Sequence, residues 1–245
     1  MAKAQNVRHV RGPAEGKTST KVVGDCITAD YFVFDRNSED VGLDDMINGL
    51  VMLDVATGFL DCEPSRERDA EMTAANLGFF AGGSAVKRVY TDDDDGSFKA
   101  ATREFKWRHE NSKPHDPQAN GLIEVLVGIV KSGARALLFQ AGMPALCWPL
   151  AVKYFCQMRK IMDRYNRFGT LISSPYFQRC ETPYTGLRVP FGAYIEFLPS
   201  SRIAAEATPK MAPKTIPGIF IGYYENVHGM TKNYIVISLA LLHEA

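Results

Sequence analysis

The chain has 245 residues, 46% of them apolar, and its 28 basic and 28 acidic side chains cancel, so a sizeable core fits and no global charge selects a partner. Its five cysteines are scattered with no C-x-x-C pair, which argues against a disulfide framework or a zinc knuckle and for a reducing compartment. No apolar signal segment opens the sequence and no run approaches the roughly 18–20 apolar residues that span a bilayer, so a soluble, intracellular protein with no membrane partner is expected.

Residues 1–25 are polar and aperiodic and read as a tail or linker, with five Lys/Arg against two acids. "CITADYFVF" alternates and is rich in β-formers, which predicts a strand, and "DRNSEDVGLDD" follows as an acidic loop. "INGLVMLDVATGFLDCEP" predicts two strands around a tight turn at Ala56-Thr57-Gly58. "SRERDAEMTAANLGFFAGG" predicts a helix opening at Ser65 and closing at Gly-Gly. "AVKRVYTD" is a fourth strand and "FKAATREFKW" a short helix. Residues 118–141 and 144–163 form two long helices around Gly142-Met143-Pro144. The remainder is loop-rich, with β segments at "AYIEFL", "PGIFIGYY" and "NYIVISLALL". Three strands on short connections make an antiparallel meander, and a fourth after a crossover helix lies parallel beside it, so the fold class is α/β with a mixed sheet flanked by helices. Charge is uneven along this layout: residues 26–100 carry six bases and sixteen acids, and residues 101–245 seventeen bases and ten acids. That division suits cations held in one place and a polyanion in another.

Three acidic features stand at informative places. Asp30 sits inside the first strand, where the ordinary alternative is a surface position. The tetrad "TDDDDG" ends the fourth strand, where the alternative is a solvated turn. An EF-hand loop fails on register, because Thr91 and Thr102 stand where its acids belong. Glu124 is read as lying in the first turn of its helix, where a carboxylate is favoured by the helix dipole alone. Brought together, three carboxylates repel one another unless a hard cation sits among them. Mg2+ takes oxygen ligands and leaves room for a substrate phosphate. The chemistry this supports is two-metal phosphoryl transfer. For the second acid, strand register favours Asp92 and the acid-x-Gly spacing before Gly96 favours Asp94; Asp92 ranks first because strand position fixes where its carboxylate points. Lys131 and Arg135 fall seven and eleven residues after Glu124, on one helical stripe, which either tracks a phosphate backbone or is a solvated face.

The stretch "KPHDPQANGLIE" resembles the P-x-x-P-Q-x-N-G-x-x-E signature of retroviral and retrotransposon integrases. The wider layout resembles the catalytic core of copia-type LTR retrotransposon integrases, which have an RNase H-like fold. "ITADYF" is similar to the family's first catalytic strand and "VKRVYTDDDDGSF" to the segment of its second acid. "MPALCWPLAVKYF", "ETPYTGLRVPFGAYIEFLP" and "IPGIFIGYY" are similar to its later segments, so the likeness runs from residue 26 to about 238. The resemblance implies a D,D,E triad of Asp30, Asp92 (or Asp94) and Glu124 that holds Mg2+ (or Mn2+), with Gln118 and Asn120 beside the metals where polar residues approach DNA. It implies a nuclear, homo-oligomeric DNA integrase core that cuts element ends and joins them to target DNA. The chain departs from the family in a shorter interval before Glu124, in Val125 where a basic residue is usual, and in lacking a His-His-Cys-Cys cluster ahead of Asp30. A domesticated, inactive nucleic-acid-binding scaffold and a simple RNase H-like nuclease are the alternatives. The expected domains are a tail at 1–25, a catalytic core at 26–165, and a loop-rich connection with a small β-rich module at 166–245.

Overall fold

The first strand, β1 (Ile27–Val33), pairs antiparallel along its whole length with β2 (Asn48–Asp54), which in turn pairs with β3 (Phe59–Ser65). This is seen in a computed structural model that describes residues 22–92, 96–111, 117–165, 168–198, 211, 214–226 and 229–242, with the backbone alone for 117–120 and 241–242. Every residue of β2 is buried, because the strand is covered on both faces. The expected turn joins β2 to β3: Gly58 takes φ 69° and its amide donates to the Asp54 carbonyl at 2.8 Å. The buried Asp54 carboxylate organises the turn, accepting from the Thr57 hydroxyl at 2.7 Å and from the amides of Gly24 and Ala56 at 3.4 Å. Asp54→Ala orphans these donors and is expected to cost about 1–3 kcal/mol in urea denaturation; a change within a few tenths would show that the turn closes without it.

Helix α1 (Ala70–Ala81) starts later than the expected Ser65. Ser65 is still in β3, opposite Asn48. Asp69 is the cap instead, its carboxylate accepting from the Met72 amide at 2.7 Å. The far end stops as expected, with Gly82 left-handed at φ 57°. The chain crosses over into β4 (Arg88–Thr91), parallel to β1, and then α2 (Gly96–Glu104). The sequence suggested that α2 runs on through Trp107. It stops earlier, and a fifth strand, β5 (Arg108–Asn111), pairs parallel with β4. Its sequence, RHEN, has no apolar alternation; it is held by backbone pairing and by Glu110 between Arg88 (3.2 Å) and Arg108 (3.0 Å). The sheet order is β3-β2-β1-β4-β5, a mixed sheet flanked by helices as expected.

Helix α3 (Pro117–Ala141) and helix α4 (Trp148–Ile161) follow, separated by Gly142 at φ 64° and a single 3-10 turn at Ala145–Cys147. A two-stranded ribbon, β6 (Arg164–Tyr165) with β7 (Leu171–Ile172), leads to α5 (Pro175–Cys180), a short helix within the segment expected to be loop. The C-terminal sheet has order β10-β9-β8, from β8 (Tyr194–Phe197), β9 (Ile216–Asn226) and β10 (Gly229–Ser238). The last residues of the expected strand "NYIVISLALL" form instead a helical turn, α6 (Leu239–Leu242).

Alternation along β1 sends Ala29 and Tyr31 into one core, with Leu77 and Phe98 of α1 and α2. Phe32 points into the other, with Ile123 and Val130 of α3 and Trp148 and Val152 of α4. That second core continues into the C-terminal sheet through Phe220 and Tyr223, so the small sheet packs on α4. A buried charge clasp ties the two together. Lys160 of α4, 1% exposed, donates to Asp61 of β3 at 2.6 Å and to Glu225 of β9 at 2.9 Å. Lys153 pairs with Glu63 and, at 3.2 Å, with Asp61. Gln157 completes the seam, donating to the Tyr223 carbonyl (2.8 Å) and accepting from its amide (3.1 Å). Among the described residues no helix is long and apolar enough to cross a membrane.

Candidate functional site

The last registered pair between β1 and β4 is Thr28 with Tyr90. Asp30 lies two residues beyond it within β1, and Asp92 follows the last residue of β4, so both acids lie close in sequence to the point where β1 and β4 part. The step before Asp92 is fixed: Thr91 is buried and its hydroxyl bonds the His109 ring at 3.0 Å. On β1, Asp30 shares its side with Phe32, which faces α3. Helix α3 is seated by Ile123, Leu126 and Val130, all buried, and this seating leaves Glu124 exposed at its edge.

Burial raises the Asp30 carboxyl above the usual range, the Tyr31 amide donating at 2.8 Å opposes this, and the negative charges of Asp92 and Glu124 push it further up. Arg68 acts the other way. Among the described residues no three acidic, His or Cys side chains close tightly enough to clasp an ion. Carboxylate oxygens are the hard donors that Mg2+ and Mn2+ take, but the described acids do not close into such a set here.

The other expected site residues divide clearly. Asp94, the alternative to Asp92, lies outside the described residues, as do the side chains of Gln118 and Asn120. The backbones of Gln118 and Asn120 are already helical, because α3 begins at Pro117. Glu124 is thus seven residues inside the helix and not in its first turn, as the sequence had suggested, so the helix dipole does not account for it. Arg135 is exposed along the same stripe. Lys131 is half-buried, its ammonium over the rings of Phe32 (5.7 Å) and Phe34 (5.2 Å), so part of its charge faces aromatic surface. Arg68 was missed; it comes from the β3–α1 loop, and nothing local in "SRERDAE" marks it as a neighbour of Asp30. Two cavities of about 340 and 530 Å3 lie beside the charge clasp, and neither is lined by Asp30, Asp92 or Glu124.

No protein-family profile matches the chain. A curated relative, the retrovirus-related Pol polyprotein from transposon TNT 1-94 of Nicotiana tabacum, is 28% identical over 156 residues, covering 60% of this chain. The chain spans 11% of that polyprotein's length. Among solved structures, the catalytic core domain of BIV integrase superposes with a TM-score of 0.44 at 13% identity, over 62% of this chain and 91% of that one. The chain is thus similar, over 60% of its length, to part of a retrovirus-related Pol polyprotein, and it carries the P-x-x-P-Q-x-N-G-x-x-E signature after a mixed sheet of order β3-β2-β1-β4-β5.

Proposed function

We propose that the chain is the catalytic core of a DNA integrase, with Asp30, Asp92 and Glu124 holding Mg2+ or Mn2+. What supports this reading is the placement of Asp30 on β1, with Asp92 following the end of the neighbouring β4 and Glu124 on α3, which packs over β1 through Phe32. Bound divalent ions supply Lewis acidity to the phosphodiester and lower the pKa of an attacking hydroxyl. The chain's residues hold the donor set rigid: Asp30 through its strand pairing and the Tyr31 amide, Asp92 through Thr91 and His109, and Glu124 through the apolar seat of α3. Cleavage is then attack of water on phosphorus with loss of the 3′-oxygen, which leaves a free 3′-hydroxyl. Joining is attack of that hydroxyl on a target phosphodiester, again displacing a 3′-oxygen, with no covalent protein intermediate. Arg135 and the polar Gln118 and Asn120 take DNA, the work is nuclear, and two ends to be joined call for a homo-oligomer. A strand-transfer assay with a duplex oligonucleotide and Mg2+ or Mn2+ tests this. Joined products are expected; cleavage without joining leaves a simple nuclease, and DNA binding without either leaves a scaffold.

A further inference from the structure

We propose that the outer face of α3 is a self-association surface, on which a second copy of this chain packs antiparallel about a two-fold axis at Ser132. This names a surface for the homo-oligomer of the integrase reading but rests on α3 alone. Val125, Gly128, Ser132, Ala136 and Phe139 follow one another at steps of three, four, four and three residues, so they form one stripe along the helix, and Leu122 extends it by a turn. All six are exposed, Phe139 to 91%. The opposite side of α3 is the buried seat of Ile123, Leu126 and Val130, so the stripe faces away from the core. None of the six is charged, which leaves about five turns of helix surface apolar or small where a solvated face is normally charged. The stripe reads the same from either end. Small Gly128 and Ala136 flank Ser132, and the larger Val125 and Phe139 stand outside them at equal spacing. Two such helices laid antiparallel bring Phe139 of each copy against Val125 and Leu122 of the other, Gly128 against Ala136, and the two Ser132 hydroxyls together on the axis. That is an isologous contact, the kind a two-fold dimer uses. Gly128 points the same way independently. A Cβ there would meet nothing within 4 Å, so nothing within this chain needs the missing side chain. Glycine inside a helix weakens it, and its uses are a turn or a close approach of another backbone; no turn occurs here. The lack of charge excludes a nucleic acid as the occupant, since phosphates are held by Lys and Arg. Glu124 and Arg135 border the stripe on one edge and lie outside it, so pairing leaves the carboxylate beside the seam. A single helix face is small beside the roughly 1,000 Å2 that a stable interface clears, so the dimer is weak and reversible.

Sedimentation velocity of the full chain, from micromolar to near-millimolar concentration and without DNA or metal, tests this. A reversible monomer–dimer equilibrium is expected. Ser132→Glu puts two like charges on the axis and should weaken dimerisation at least about tenfold, with Tm unchanged because the position is exposed. Gly128→Gln should weaken it comparably while holding or raising Tm, because glutamine is the better helix former. Leu187→Glu, a charge placed on an exposed apolar residue elsewhere, should leave the dimer unchanged. Disulfide cross-linking reads the register: a mixture of Val125→Cys and Phe139→Cys chains should give the mixed dimer in preference to either like pair. A monomer at every concentration overturns the proposal, as does a dimer that survives either Ser132→Glu or Gly128→Gln, or one in which like cysteines join first. A lower Tm in both variants marks a face the fold itself needs and overturns it too. A monomer that binds phosphatidylcholine vesicles, and loses them in Ser132→Glu, gives the face to lipid instead. With DNA and metal absent, each of these failures removes the surface and leaves the carboxylate chemistry standing, whereas a wild-type dimer that binds no duplex removes that chemistry and leaves the surface.

Discussion

Glu124→Gln should abolish both cleavage and joining while leaving DNA affinity nearly unchanged. The glutamine keeps the side chain's length and its hydrogen bonding but removes a charge that would hold the divalent ion. Losing an outer partner of a metal ligand typically costs about 10–100-fold, and losing a ligand itself should cost more. Duplex affinity rests mainly on Lys and Arg contacts to phosphates, which the substitution leaves alone. A second readout needs no metal. With one neighbouring negative charge gone, the Asp30 carboxyl should titrate at lower pH in the variant than in the wild type, because Glu124 is one of the charges that raise it. Carbon-detected NMR of the Asp30 carboxyl measures this. Strand joining at the wild-type rate would remove Glu124 from the mechanism, and an unmoved Asp30 titration would remove it from the cluster.

What the sequence made legible was whatever local pattern determines. The β1–β3 meander, the crossover through α1 and the parallel β4 follow from alternation and turn residues, and with them Asp30 on β1 and Asp92 just past the end of the adjoining β4. Pro117 was read as loop, yet proline is well suited to the first turn of a helix, where its missing N–H is not needed, and the helix accordingly begins there. Glu124 is already the seventh residue of the expected helix 118–141, so its dipole explanation fails on spacing and the earlier start at Pro117 only moves it one residue further in. β5 was invisible because RHEN has the composition of a solvated segment and becomes a strand only through pairing with β4. The approach of Arg68 to Asp30 and the clasp of Asp61, Glu63, Lys153, Lys160 and Glu225 join residues far apart in the chain, and no periodicity encodes such pairings. Spacing alone shows only that Lys153 and Lys160, seven apart, share a helix face, a pattern usually solvated; here that face is buried between β3 and β9.

Lys160→Met should be the most damaging single change to stability. It leaves Asp61, 2% exposed, and Glu225, 7% exposed, facing each other across the seam with only Lys153 to balance them. Breaking a buried pair on one side typically costs about 3–5 kcal/mol, because an uncompensated charge stays behind. The pH dependence identifies the cause. In the wild type, burial works to raise Asp61, but Lys153 and Lys160 outweigh it and hold the carboxyl below its ordinary value. That contribution is present above the unfolded value of about 3.9 and is lost as pH falls through the folded one. Burial works to lower both lysines, but Asp61 and Glu225 raise them. Their contribution is full below about 10.4 and is lost as pH rises past the folded values. Glu63 runs the opposite way: burial raises it, so its contribution lies at acid pH and blunts the acid loss from Asp61. The wild type should therefore show a stability plateau from about pH 5 to 10, within those unfolded values. Without Lys160 the cation that held Asp61 down is missing, burial and Glu225 raise it, and acidification from pH 7 toward 4 should stabilise the variant where it leaves the wild type level or weaker. Urea denaturation at pH 4, 5.5 and 7 measures both curves. Adding Asp61→Asn and Glu225→Gln to Lys160→Met should recover much of the loss and flatten the acid response, because no unpaired buried charge then remains. A single variant within 1 kcal/mol of wild type at pH 7, on the scale of about 3–5 kcal/mol set for a broken buried pair, would mean that the clasp is solvated and that the C-terminal sheet is held by its apolar contacts and the Gln157 hydrogen bonds.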